Sequence, residues 1–243
     1  MLAATVSILL LAIVAQGQFG RRSLAARVAA RFADGDRRWR TFGWAVGTGA
    51  TYAVPAIVAL LLLGRLDTVV TLPAEFTAFA RGQGLPAAIT AETAEIAGSL
   101  FLGMLIGTAL VVAARLLKRR PSRLLYRSPA AARGWHEAPA AAALALSAGI
   151  SEELFFRLAL PLSVATATGS VVAGLASGAA AFGLAHRYQG AIGLVLTSLV
   201  GAGLAWFHLW TGALWFAMAV HTTVDLHALI VRPWIGGWQP HPR

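Results

Sequence analysis

From Met1 to Val231 the chain alternates between apolar runs of bilayer-crossing length and short stretches that hold most of its charge. A hydrocarbon core about 30 Å thick takes roughly 20 helical residues. About seven runs reach or approach that length, at 1–16, 42–64, 96–117, 141–167, 170–185, 191–210 and 213–231. Of 243 residues, 58% are hydrophobic and only 12% are charged, against about a quarter charged in a soluble domain. The pattern predicts an all-α fold: a polytopic transmembrane helical bundle in one membrane domain, with no soluble domain, linker or internal repeat.

The charges that remain predict how the bundle sits. Net charge is +10, but the basic residues gather at the ends of apolar runs, which marks topology and anionic-lipid contact rather than nucleic-acid binding. Residues 19–41 carry Arg21, Arg22, Arg27, Arg31, Arg37, Arg38 and Arg40 against Asp34 and Asp36, with Leu24, Ala25, Val28, Ala29 and Phe32 at helical spacing. They predict an amphipathic interfacial helix on the cytoplasmic face. A second basic block, Lys118-Arg119-Arg120-Pro121-Ser122-Arg123 with Arg127 and Arg133 beyond, belongs on the same side. The slightly acidic stretch 65–95 reads as an external loop. The N-terminus is then outside, the C-terminal tail 233–243 cytoplasmic, and Met1–Gln16, which lacks a basic lead-in, an uncleaved first span. With no cysteine, disulfides and thiol chemistry are excluded. Gly43/Gly47 and Gly103/Gly107 offer small surfaces for close helix contact, and Gly174, Ser177, Gly178 and Ala181 predict a fifth span buried among its neighbours.

Inside one apolar run lies Ser151-Glu152-Glu153-Leu154-Phe155-Phe156-Arg157. Charges at hydrocarbon depth are costly and usually mark a site. Glu153 and Arg157, four apart, can pair along one helix face, while Glu152 points about 100° away and is left over. The other ionisable residues of the last four spans are His186, a turn after Phe182; His208; and His221, Asp225 and His227. His221 and Asp225 share a face. At 1.5 Å per residue, His221 lies about 16 Å and Asp225 about 10 Å from the inner end of the seventh span. Glu152 lies about 12 Å deep if the fourth span enters near Leu144, and about 20 Å if it enters at Pro139.

Two readings of this set stand side by side. It is a structural polar knot, with His221 and Asp225 a buried pair, or it is a reactive site opening toward one leaflet. His208 and His227 read as interfacial anchors, and Ser151, Thr222 and Thr223 as groups satisfying local contacts. As a site, Glu152 can take a proton from water that His186 orients, and His221 can donate to a developing oxyanion. Glu152, His186 and His221 also make a three-ligand zinc set with an open position, although the HExxH signature is absent.

With those residues in hand, the last hundred positions resemble the CAAX prenyl endopeptidases and their bacterial relatives, the CPBP intramembrane proteases of the ABI family. Three motifs match in order: EExxxR at Glu152, Glu153 and Arg157; FxxxH at Phe182 and His186; HxxxN/D at His221 and Asp225. Gly183, Leu184 and Ala185 within the second motif, and Thr211 to Trp215 before the third, agree as well. The resemblance spans about residues 140–231 and implies a helical membrane protease with a cavity open to the cytoplasm. It implies that Glu152 and His186 activate water, that His221 and Asp225 bind the oxyanion, and that Glu153, Arg157 and Phe182 support them. Two positions depart from the pattern. Leu158 stands where glycine commonly follows the arginine, and Asp225 stands where many relatives carry asparagine; an ionised aspartate accepts hydrogen bonds and cannot donate.

These readings divide the chain into N-terminal spans with a basic interfacial segment (1–135), a catalytic CPBP-like core (136–232) and a tail (233–243). The expected protein is a multi-pass integral membrane protein of a bacterial plasma membrane. It would be an intramembrane endopeptidase cleaving a membrane-anchored or lipidated substrate near the cytoplasmic leaflet, in contact with lipid, with zinc or another divalent metal as a candidate cofactor. The alternatives are a non-catalytic immunity or maturation partner on the same scaffold, or a proton-coupled transporter, whose usual repeats and broken helices are not evident in the sequence.

Overall fold

A computed structural model describes residues 1–19, 23–32, 36–117 and 128–235. Arg21, Arg22, Asp34, the basic block from Lys118 to Arg127, and tail residues 236–243 lie outside the described residues. Among the described residues there is helix, turn and coil and no strand. In chain order the helices are α1 (Leu2–Phe19), α2 (Leu24–Ala30), α3 (Arg37–Leu62), α4 (Ala74–Gly82), α5 (Ala91–Leu116), α6 (Ala138–Glu153), α7 (Leu160–Thr168), α8 (Val171–Ala185), α9 (Gly190–Thr211), α10 (Leu214–Leu226) and α11 (Arg232–Ile235). A π-helical turn, Leu154–Ala159, joins α6 to α7 as one rod, and a second, His227–Val231, joins α10 to α11. Each predicted apolar run therefore falls on a helix. Among the described residues three helices, Arg37–Leu62, Arg187–Thr211 and Leu214–Ile235, are long and apolar enough by length and composition to cross a membrane, against the seven spans expected, and Leu2–Gly17 and Val171–Ala185 are shorter apolar helices.

Local chemistry sets the ends of these rods. Pro139 sits in the first turn of α6, where its missing N–H costs nothing. Gly169 closes α7 with φ +73°, and Ser170 accepts a hydrogen bond from the Ala173 N–H to open α8. The chain thus reverses within two residues and lays α8 back along α7. Gly174 and Gly178 make the approach close: a Cβ on Gly174 would stand 2.3 Å from the Pro161 carbonyl oxygen. Gly174, Gly178 and Ala181 are buried and Ser177 is half-buried, but Val172, Ala176, Ala180 and Leu184 are exposed, so the span expected to be buried among its neighbours is covered on one face only.

The core draws on both halves of the chain. Val6, Leu10 and Val14 of α1, Ala56 and Leu60 of α3, and Phe76 of α4 pack with Phe155, Phe156, Leu158 and Leu160 of the π-turn region. Ser7 donates to Ser163 at 3.1 Å, joining α1 to α7, and Ser147 donates to the Ala45 carbonyl at 2.6 Å, joining α6 to α3.

Two expectations are corrected. The segment expected to lie flat at the interface instead folds back antiparallel along α3 as α2. A Cβ on Gly43 would stand 2.9 Å from Ala29 Cα, and one on Gly47 would stand 2.6 Å from Ala25 Cα. The close contact foreseen at Gly43/Gly47 is made with this local partner. Residues 65–95 are more than a loop. They hold a 3₁₀ turn, Leu66–Val69, and α4, whose Phe76 and Ala80 are fully buried. Arg65 clamps Glu75 through two hydrogen bonds of 2.8 and 2.7 Å, which holds that carboxyl below its usual range.

Candidate active site

The two carboxylates stand at the last residues of α6, just before the π turn. Both are buried, Glu152 at 8% exposure and Glu153 at 0%. Consecutive helical positions turn them apart, and each meets a different imidazole. Glu152 Oε2 lies 4.0 Å from His186 Nε2. Glu153 Oε1 accepts from His221 Nδ1 at 2.7 Å, and its Oε2 faces Arg157 Nε at 3.2 Å in the predicted i,i+4 pair. The contact of Glu153 with His221 was not foreseen, because it depends on how α6 crosses α10. That crossing is tight, since a Cβ on Gly149 would stand 2.8 Å from Thr222 N.

His186 ends α8, with its Nδ1 at 2.9 Å from the Phe182 carbonyl. A carbonyl only accepts, so Nδ1 carries the hydrogen, and in a neutral ring Nε2 faces Glu152 as an acceptor. Phe182 organises the surrounding wall. Its ring lies 4.6 Å from His186 and 5.8 Å from His221, and the Arg157 guanidinium sits over its face at 4.0 Å. Arg157 is completely buried, so this π face and the Glu153 carboxylate are its compensation. Leu158, at the position where glycine is common, is also fully buried and packs in the aromatic core. Asp225 stands at the rim: its Oδ2 is 3.7 Å from His221 Nε2 and its side chain is 29% exposed.

Glu152 with His186, and His221 with Glu153 and Asp225, are thus two adjoining polar groups. Zinc ligation requires all donors about 2 Å from one point. Among the described residues, the one set of three whose ligand atoms lie within 4.8 Å of one another is Asp36, His136 and Glu137, at the start of α3 and the turn before α6. Glu137 there is already paired with Arg37. Glu152, His186 and His221 do not form such a set; His221 Nδ1 is engaged by Glu153 and its Nε2 faces Asp225.

Tyr52, Tyr188 and His208, all outside the predicted set, belong to this neighbourhood. Tyr52 of α3 packs on Phe155 and Phe156, with ring centroids 5.3 and 5.0 Å apart, and its phenol interacts electrostatically with Glu152 and Tyr188. Tyr188 lies 5.7 Å from the His186 ring. An aromatic inside an apolar span gave no signal of this. His208, expected at an interface, is instead 2% exposed and turned toward the main chain of Arg157. His227, also expected as an anchor, bonds Thr108 of α5 through Nε2 at 2.7 Å.

Residues 134–227 match the family model described as Type II CAAX prenyl endopeptidase Rce1-like. This segment, less than half of the chain, is similar to Rce1-like domains. It contains Glu152, Glu153, Arg157, Phe182, His186, His221 and Asp225, whereas Tyr52 comes from outside it. The family's description names a prenyl endopeptidase, and the matched segment contains part of the apolar helix Leu214–Ile235 and the whole of Arg187–Thr211. The searches of curated proteins and of solved structures return no match for the chain.

Proposed function

We propose that the Rce1-like segment hydrolyses a peptide bond in a membrane-associated, lipidated substrate, using water activated by Glu152 and His186 near the cytoplasmic leaflet. The observation that carries this reading is the 4.0 Å separation of Glu152 Oε2 and His186 Nε2 inside a buried apolar wall. That gap is long for a direct hydrogen bond and suits one water touching both.

In the proposed step, Glu152 takes a proton from the water while the water oxygen bonds the scissile carbonyl carbon. The oxyanion that forms receives a hydrogen bond from His221 Nε2 when the ring carries both protons, flanked by Glu153 and Asp225. Collapse breaks the C–N bond, and Glu152 returns its proton to the leaving amine. Asp225 is assigned to orient His221, because an ionised aspartate has no proton to donate. Glu153, Arg157 and Phe182 hold the two imidazoles. Glu152, His186 and His221 do not cluster as ligands, so their roles in this step are those of proton acceptor, water partner and oxyanion donor.

The cytoplasmic orientation rests on the basic residues. Arg37 at the start of α3 pairs with Glu137 before α6, and the Ala132 N–H donates to the Leu229 carbonyl at 2.8 Å near Arg232. Arg37, Arg133 and Arg232 therefore gather at one end of the bundle, the end the positive-inside rule places in the cytoplasm.

The test uses purified protein and a farnesylated CAAX-type peptide. Glu152→Gln and His186→Ala should each lower kcat by about 10²- to 10⁴-fold with helical content and unfolding temperature retained. Full activity in either folded variant would remove the reading.

A further inference from the structure

The rod formed by α6 and α7 changes its winding at Leu154–Ala159, directly after the two carboxylates. There the Leu160 N–H donates to the Phe155 carbonyl, five residues back. The Phe156 carbonyl thereby loses its helical donor, and the next nitrogen along belongs to Pro161, which has no hydrogen. Pro161 is also the nitrogen four positions beyond Arg157, where that carbonyl would find its α-helical partner. Both residues are fully buried, and a carbonyl left unmet in apolar surroundings is costly.

Neighbouring helices close over both groups. On one side, α8 presses against Phe156: a Cβ on Gly178 would stand 2.3 Å from its carbonyl oxygen. On the other, α9 brings in His208, a buried ring beside the Arg157 main chain and near Glu153.

We propose that His208 is a positioning residue whose ring N–H donates to the Arg157 carbonyl that Pro161 deprives of its α-helical donor. The bond ties α9 to the turn that aims Glu152 and Glu153. His208 touches no reacting atom. It acts through Arg157, which holds Glu153, which holds His221. Its catalytic consequence rests on the hydrolase reading above, while its structural consequence stands without it.

The test is a double-mutant cycle in full-length purified protein with His208→Phe, His208→Gln, Pro161→Ala and the double variant His208→Phe/Pro161→Ala. Pro161→Ala restores a backbone N–H to the Arg157 carbonyl, so His208→Phe should lower the unfolding temperature less in that background than in the parent. Strictly additive shifts would overturn the proposal, and this readout needs no substrate. With a farnesylated CAAX-type peptide, His208→Phe should lower kcat on the order of tenfold, about 1.4 kcal/mol, with KM within about twofold. His208→Gln, which keeps an N–H donor, should recover most of the loss. Unchanged kcat in His208→Phe, or no recovery in His208→Gln, would overturn the positioning role. If the parent protein cleaves no such peptide, the hydrolase reading falls, and the unfolding cycle still decides the role of His208.

Discussion

Two glycine pairs with the same spacing end in opposite surroundings. On α8, Gly174 and Gly178 press against the carbonyls of Pro161 and Phe156, each with only 2.3 Å for an added Cβ. On α5, Gly103 and Gly107 have nothing within 4 Å of that position. The α8 pair lies beside a rod whose winding is disturbed and whose carbonyls need cover. The α5 helix joins the described fold through contacts such as Thr108 with His227, and Leu102, Leu105, Ile106 and Leu110 are exposed. Small residues at i and i+4 permit close approach; what stands opposite decides whether approach occurs. The catalytic candidates sit in the dense region, where buried charges can be held in fixed relation.

The contrast is sharpest at the charges. Glu153→Gln would leave Arg157, fully buried, without its ion partner, and breaking a buried pair costs about 3–5 kcal/mol. Thermal unfolding of the purified protein in bicelles should show this as the largest loss. A shift no larger than that of an exposed substitution would mean the region is not rigid. Next comes the glycine comparison itself. Gly178→Ala should cost about 3 kcal/mol by overpacking against the Phe156 carbonyl, whereas Gly103→Ala should cost nothing measurable. Equal losses at the two sites would erase the distinction drawn here.

The smallest effect lies outside both regions, at the Arg65–Glu75 clamp. Its two hydrogen bonds depress the Glu75 carboxyl, so the stability it contributes is complete above the unfolded value, near 4.3. That contribution disappears as pH falls through the depressed folded value. With the Glu75 side chain 37% exposed, the amount is about 0.5 kcal/mol after solvent screening. Glu75→Gln should therefore lower stability slightly at pH 7 and not at pH 2. An equal penalty at both values would show that the charge is irrelevant.

Much of the architecture was legible because bilayer physics writes itself into sequence as apolar length, and each predicted run falls on a helix. The Glu153–Arg157 pair and the proximity of Phe182 to His186 were legible for a related reason: both are contacts one helical turn apart. Contacts across helices were not. Glu153 meeting His221, Tyr52 meeting Phe155, and α2 folding onto Gly43 and Gly47 depend on rotations and crossings that no local spacing encodes. His208 lies between these cases. Pro161 four residues beyond Arg157 announces a carbonyl in need of a donor, but nothing in the α9 sequence says which group will supply it.

The central claim is that Glu152 delivers a water oxygen to the substrate and is not itself the nucleophile. A single turnover with enzyme in excess, run in water enriched in oxygen-18, tests it directly by mass analysis of the new carboxyl group. Activated water predicts the heavy isotope in product from the first turnover. Light oxygen in that first product, drawn from the Glu152 side chain, would contradict the account.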